Sequence, residues 1–118
     1  MGRGKVEFKG LPPVKSVSEK QTRRTTAEIA DRSGEMPELD LHGLTAKVAE
    51  QEIDRYLLNM NAQGGALCRI VHGKGQGVLQ KVVVKKIAEF TKQGIIEDSF
   101  VSANQMFGGG SMVVIFCP

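Results

Sequence analysis

The sequence predicts an α/β fold in the order β-α-β-α-β-β, a two-layer sandwich in which two helices pack on a mixed four-stranded sheet. Three observations predict it. Residues 38–42 alternate polar and apolar side chains, residues 46–63 and 78–93 repeat apolar side chains at helical spacing, and residues 112–116 form a short apolar run. Strand–helix–strand units require parallel pairing with right-handed crossovers.

The first 36 residues show no sustained apolar periodicity. They carry eight Lys and Arg against five Asp and Glu, and the stretch over 15–35 is rich in Ser, Thr and charge. We therefore expect residues 1–36 to form a flexible leader or linker, with a transient helix over 26–31. Residues 37–118 are expected to form the domain.

The first strand is predicted over 38–42 and ends at Gly43. Thr45 suits the N-cap of a first helix, and Gly64 suits its end. The apolar stripe of that helix consists of Ala49, Ile53, Tyr56, Leu57 and Met60. A second strand is predicted over 66–71.

A glycine-rich loop over 72–77 leads into the second helix, predicted over 78–93. Its buried stripe consists of Leu79, Val83, Ile87 and Phe90. Three consecutive valines at 82–84 favour a strand instead, but the i, i+4 spacing and the length favour a helix. Strands over 95–103 and 112–116, joined by a turn over 104–110, complete the fold.

Composition narrows the functional classes. No apolar run reaches the roughly 18 residues of a membrane span, no secretory signal is expected, and two cysteines predict a reduced, cytoplasmic location. Basic residues are concentrated in one segment: residues 64–93 hold six Lys and Arg against one acidic residue. Such a segment is either a phosphate-attracting patch or a solvated helix face.

Asp40 and His42 form the first candidate site. Two residues apart in a strand, they share one face with Cα atoms roughly 6.5–7 Å apart. A carboxylate can orient a substrate or an imidazole, and an imidazole can move protons near neutral pH. The alternative is a turn in which Asp40 accepts backbone N–H groups and His42 is incidental.

The loop His72-Gly-Lys-Gly-Gln-Gly77 forms the second candidate site. Its glycines let the backbone approach an anion, and the helix N-terminus behind it presents N–H groups. Neither the Walker pattern nor the dinucleotide fingerprint fits, because Ser or Thr does not follow Lys74 and Val78 stands where a glycine is required. The alternative is a turn that needs glycine for its backbone angles.

Two further sets of residues carry weaker signals. Residues 107–111, Phe-Gly-Gly-Gly-Ser, form either a hairpin turn or a third loop that meets phosphate. Cys68 and His72 lie about 13 Å apart along a strand, so the pair does not close a tetrahedral zinc site. The sequence indicates no cofactor and no metal ligand, and a divalent metal stays an open alternative.

Residues 39–43 read LDLHG and residues 69–79 read RIVHGKGQGVL. With their order and spacing, these motifs resemble the Smr (small MutS-related) domain family over 37–118. The resemblance implies a β-α-β-α-β-β sandwich similar to the C-terminal domain of bacterial translation initiation factor three. One departure is that Met112 stands where the family's third motif usually has threonine.

Smr domains occur alone or at the C-terminus of MutS paralogues, and several are implicated as nucleases that nick DNA or cut messenger RNA at stalled ribosomes. The resemblance implies that Asp40 and His42 are catalytic, as the family's D-x-H motif, and that His72, Gly73, Lys74 and Gly75 contact substrate as its H-G-x-G motif.

The resemblance therefore implies a nucleic-acid-binding domain with endonuclease activity on DNA or RNA, acting in DNA repair or recombination or in ribosome rescue. The alternative is a non-catalytic module that docks on nucleic acid or the ribosome, and either could belong to a larger MutS-like protein. The residues expected to bind nucleic acid are Arg69, His72, Gly73, Lys74, Gly75, Gly77, Lys81 and Lys85.

Overall fold

The computed structural model describes residues 18–75, 77–104, 106 and 109–118. Its elements are α1 (Glu19–Ser33), β1 (Glu38–Asp40), α2 (Ala46–Ala62), β2 (Leu67–Val71), α3 (Val78–Lys92), β3 (Ile96–Val101) and β4 (Ser111–Phe116). From β1 onward this is the predicted order. The part of the expected leader that falls on 1–17 lies outside the described residues.

The four strands form one sheet in the order β1-β2-β4-β3. β1 pairs with β2 in parallel, while β4 is antiparallel to both β2 and β3. The prediction of a mixed four-stranded sheet is therefore confirmed. Because β1, β2 and β3 run in the same direction, their carboxyl ends and the start of β4 share one edge of the sheet.

Helices α2 and α3 pack together on one face of the sheet. The Thr45 hydroxyl accepts a hydrogen bond from Val48 N at 3.3 Å, which caps α2 as predicted. The predicted stripes are buried in the same apolar cluster, with Tyr56, Met60 and Leu79 at its margin. The buried members from the two helices are Ala49, Ile53, Leu57, Val82, Val83, Ile87 and Phe90. Local periodicity thus identified the side chains of the main core.

The opposite face of the sheet is covered by α1. The Ser18 hydroxyl caps this helix by accepting from Gln21 N at 3.1 Å, and Gly34 ends it at a φ of 80°. Ala27 is fully buried in a small cluster with Val113 and Ile115. The expectation of a flexible leader is therefore wrong for residues 19–33, and α1 adds a third layer to the predicted two-layer sandwich.

Ion pairs also join α1 to β3. Arg23 makes two hydrogen bonds of 2.6 and 2.7 Å to Glu97, and Arg24 makes one of 2.9 Å to Asp98. The guanidinium of Arg24 also lies 4.4 Å from the ring centre of Phe100. A helix that docks through charged side chains leaves a weak apolar stripe, which is why its sequence resembles a solvated leader.

Within the part of the chain that the structure describes, no helix is both long and apolar enough to cross a membrane.

Candidate functional site

The two motif-bearing segments lie side by side at the shared edge of the sheet. Asp40 pairs with Val71 in the parallel register, and Leu41 N donates to Val71 O at 2.8 Å, just before His72. The connection between β3 and β4 joins them there, because Gly110 O accepts from His72 N and from Gly73 N, both at 2.9 Å. One edge therefore gathers the three segments that the sequence marked as candidates.

Asp40 and His42 are both exposed at this edge. Oδ1 of Asp40 accepts a hydrogen bond of 2.9 Å from the backbone N–H of His42. This contact forms the tight turn considered as the alternative above, and it fixes the backbone that carries the His42 ring. The second carboxylate oxygen and the ring both remain at the surface, where a substrate could meet them.

The glycine-rich loop ends at the N-terminus of α3, where Gly77 is the N-cap residue. Gly73 and Gly77 have φ values of 77° and 83°, so the turn itself requires glycine at these two positions. Gly75 has no positive φ, and a Cβ built there meets nothing within 4 Å among the described residues. Its lack of a side chain therefore leaves open space above the loop backbone.

A pocket of about 140 Å³ lies between this loop and the first turn of α3. Its lining consists of His72, Gly73, Gly75, Gly77, Val78, Leu79 and Gln80. Glycine at the N-cap offers no side chain to the first-turn N–H groups, and a helix N-terminus of this kind attracts anions. Gln76, also in the loop, lies outside the described residues.

His72 is almost fully buried, with 6% of its surface exposed. Its Nδ1 lies 2.7 Å from Gly73 O. Because a carbonyl oxygen can only accept, Nδ1 carries the proton. Nε2 has no hydrogen-bond partner among the described residues, although it is buried. His72 is thus an oriented ring in the pocket wall and not a surface contact.

Arg69 was expected to bind nucleic acid, and the structure contradicts this. The side chain is fully buried on the α1 face of the sheet, where Nη2 lies 2.7 Å from Asp31 Oδ1 and Nη1 lies 3.3 Å from Glu38 Oε2. Burial of the guanidinium between two carboxylates neutralises it inside the fold and keeps it from a phosphate. Sequence reasoning missed its partner because Asp31 lies 38 positions away, in the segment interpreted as a leader.

The lysines divide into exposed and internally paired groups. Lys74 and Lys81 are exposed beside the loop, and Lys85 is exposed with Glu50 3.9 Å away. Lys86 is buried against α2, where hydrogen bonds to Asp54 and then Glu89 raise its pKa despite the opposing effect of burial. The basic segment over 64–93 therefore presents fewer cations to a ligand than its composition indicates.

The second glycine-rich segment, over 107–111, leads from β3 into the antiparallel strand β4, and its residues Phe107 and Gly108 lie outside the described residues. Met112 belongs to the main core. Burial raises the pKa of the Cys68 thiol to about 12, so this side chain is a poor metal ligand. Among the described residues no three His, Cys, Asp or Glu side chains cluster to hold a metal ion.

Known proteins resemble this chain in sequence. Endonuclease MutS2 of Enterococcus faecalis is 33% identical over 110 residues, which cover 93% of this chain and 14% of that protein. Endonuclease MutS2 of Thermus thermophilus is 35% identical over 87 residues, which cover 74% of this chain and 11% of that protein. The chain thus corresponds to a small part of each of these relatives.

Two solved structures share the fold. The Smr domain of Thermus thermophilus MutS2 superposes with a TM-score of 0.63 at 30% identity, covering 70% of this chain and all of that domain. YdaL, a stand-alone small MutS-related protein from Escherichia coli, superposes with a TM-score of 0.66 at 19% identity, covering 80% of this chain and 76% of that one. At that identity the second likeness concerns the fold alone.

The sequence pattern, the sheet topology and these likenesses agree with one another. The family model of the Smr domain matches residues 39–117, from β1 to the residue after β4. This range includes both motifs and every strand residue except Glu38. The chain therefore belongs to the Smr domain family.

Proposed function

We propose that this domain binds nucleic acid at the edge of the sheet described above and cleaves a phosphodiester bond there. One observation carries the proposal: the hydrogen bond from Leu41 N to Val71 O places the Asp40–His42 turn beside the glycine-rich loop at the N-terminus of α3. An acid–base pair and an anion-attracting loop are thus adjacent. The name endonuclease carried by the MutS2 relatives supports the same function.

In this proposal the loop and Lys74 hold a phosphate. Backbone N–H groups at a helix N-terminus and an exposed ammonium group both favour an anion, and the open space at Gly75 lets the phosphate approach the backbone. His42 transfers a proton during cleavage, and Asp40 holds His42 in place through the 2.9 Å hydrogen bond to its backbone N–H.

The attacking group depends on the substrate. With RNA, the 2′-hydroxyl adjacent to the bond attacks the phosphorus and gives its proton to His42, while the bond to the 5′-oxygen breaks and that oxygen takes a proton from water. With DNA, a water molecule attacks the phosphorus and gives one proton to His42, while the bond to one bridging oxygen breaks and that oxygen takes a proton from water. Both routes use the same exposed edge of the sheet.

The second candidate is a non-catalytic module that docks on nucleic acid or on the ribosome. The contact between Asp40 Oδ1 and His42 N favours it, because a carboxylate that closes a turn has a structural role whether or not chemistry follows. We further propose that the domain acts in repair, recombination or ribosome rescue. The proposal also includes a cytoplasmic location and membership of a larger MutS-like protein.

The deciding experiment is to incubate the purified chain with supercoiled plasmid and with end-labelled RNA, each with and without EDTA. We expect a nicked plasmid or a shortened RNA with the unmutated protein and an intact substrate with His42→Ala. The EDTA samples report whether a metal is required. Tight binding of both substrates without cleavage of either would support the docking module and refute the enzyme.

A further inference from the structure

One carboxylate joins α1, β2 and the segment that follows β3. Asp31, near the end of α1, is 1% exposed. Its Oδ1 accepts from Arg69 Nη2 at 2.7 Å and from Ser102 Oγ at 2.6 Å. Its Oδ2 accepts from the backbone N–H of Ala103 at 2.8 Å. Three separate parts of the chain therefore meet at this side chain.

The backbone carbonyl of Asp31 strengthens the same junction. It accepts from Asn104 Nδ2 at 2.8 Å and from Arg69 Nη2 at 3.1 Å. The Asn104 side chain also makes a local hydrogen bond, in which its Oδ1 accepts from Met106 N at 3.0 Å. The first residues after β3 are thus attached to α1 by both the side chain and the main chain of one residue.

The segment held by Asp31 reaches the candidate site. Ser102 N donates to Ser111 O at 3.0 Å, and the neighbouring Gly110 O accepts from His72 N and Gly73 N. The start of the glycine-rich loop is therefore bonded to Gly110, whose neighbour Ser111 is bonded to Ser102, a partner of Asp31. Arg69, the second partner of Asp31, lies three residues before His72 on β2.

We propose that Asp31 is a positioning residue for the nucleic-acid site. From α1 it sets where residues 102–104 lie. Through the Ser102–Ser111 hydrogen bond and the neighbouring Gly110 it sets where the glycine-rich loop begins. Asp31 lies outside the range 39–117 that the family model matches. In this chain α1 therefore helps to position the candidate site. The expected change in kcat rests on the proposed function.

The physical reason is the glycine content of the loop. Three of its residues are glycines with wide backbone freedom, so external contacts must hold it. Small displacements of a group that orients substrate can lower a rate by up to about 100-fold. Anchoring the β3–β4 connection to a rigid helix supplies such a contact.

The test compares three variants of the full chain. Asn104→Ala removes the contact to the Asp31 carbonyl, and Asp31→Asn weakens the junction itself. Arg23→Ala is the matched control, because it breaks the pairing of the same helix with Glu97, at the start of β3 and away from the site edge. Two readouts are measured: native-state amide hydrogen exchange at His72 and Gly73, and kcat and KM for cleavage.

We expect faster exchange at His72 and Gly73 in Asn104→Ala and Asp31→Asn, with kcat lowered by up to about 100-fold and KM little changed. Arg23→Ala is expected to leave both readouts at their wild-type values. Because Asn104→Ala removes a neutral side chain, it decides the test if Asp31→Asn fails to fold.

Unchanged exchange in folded Asn104→Ala would overturn the inference whether or not the protein cuts. Equal effects in Arg23→Ala would also overturn it, because they would show a general loosening of α1. Faster exchange in Asn104→Ala together with wild-type kcat and KM, in a protein that cuts, would overturn the inference as well. If the unmutated protein cuts nothing while exchange changes as expected, the positioning role stands and the proposed enzyme fails.

Discussion

Asp31 of α1 and Arg69 of β2 form a buried ion pair, with 2.7 Å between Oδ1 and Nη2 and at most 1% of either side chain exposed. The pair joins a helix that the family model does not cover to a strand in the middle of the sheet. It therefore couples the N-terminal segment to the stability of the domain.

Replacing Arg69 should destabilise the protein strongly. Arg69→Ala leaves the Asp31 carboxylate buried without its charged partner, and breaking a buried pair in this way costs about 3–5 kcal/mol. Arg55→Ala is the control, because Arg55 is 75% exposed and pairs with Glu52 within α2; surface pairs contribute about 0–1 kcal/mol. Urea unfolding measures both, and equal losses would contradict the prediction.

The contribution of Asp31 should depend on pH. Burial by itself raises the pKa of this carboxyl, but hydrogen bonds from Arg69, Ser102 and Ala103 outweigh it, so the folded-state pKa lies below the ordinary value. The stabilisation is therefore complete above the unfolded-state pKa and is lost as the pH falls through the folded-state value.

We therefore expect Asp31→Asn to unfold at lower urea concentration than the wild type at pH 7, with the difference shrinking below about pH 4. Urea titrations at several pH values between 7 and 2 measure this. A difference that stayed constant over the whole range would show that the charge of Asp31 does not stabilise the fold.

Removing α1 should weaken the domain, contrary to the expectation of a dispensable leader. Deleting residues 1–36 leaves Arg69 without Asp31 and uncovers Val113 and Ile115. Deleting residues 1–17 retains every contact described for α1 and serves as the control. We expect the 1–36 deletion to unfold at a lower urea concentration than the 1–17 deletion, which keeps α1. Equal stability of the two deletions would argue against a structural role for α1.

Lys74 should contribute a phosphate contact. Loss of one such contact flattens the dependence of log affinity on log salt concentration by about 0.7–0.9 and weakens binding to all sequences alike. Lys92→Ala is the matched control, because Lys92 is exposed at the far end of α3. Fluorescence anisotropy with labelled oligonucleotides measures the slopes. Identical slopes for wild type and Lys74→Ala would place Lys74 outside the interface.

His42 should affect the rate of cleavage and not the affinity. Loss of a proton-transferring group costs about 100- to 10,000-fold in rate, whereas His42 is one exposed side chain among several at the proposed phosphate site. His42→Arg is the sharpest variant, because arginine can contact a phosphate as a cation but cannot exchange protons at neutral pH. Single-turnover cleavage and anisotropy are measured together. Wild-type cleavage by His42→Arg would exclude the imidazole as the proton-transferring group.

Local patterns in the sequence were sufficient to predict the elements from β1 to β4 and the side chains of the main core. The stripes containing Ile53 and Ile87 repeat at the helical period because each helix buries one face, so a short window carries the signal. The two motifs also indicated the correct family. They meet in the fold because parallel strands bring the residues after Asp40 and Val71 to one edge of the sheet.

The tertiary structure alone decided the position of α1, the burial of Arg69 and the junction at Asp31. Each depends on pairing between charged or polar side chains far apart in the sequence, such as Arg23 with Glu97 and Asp31 with Ser102. Such pairs have no period, and a charged residue has the same appearance in a sequence whether it faces water or a buried partner. For that reason Arg69 was expected at the nucleic-acid surface, whereas the fold places it inside.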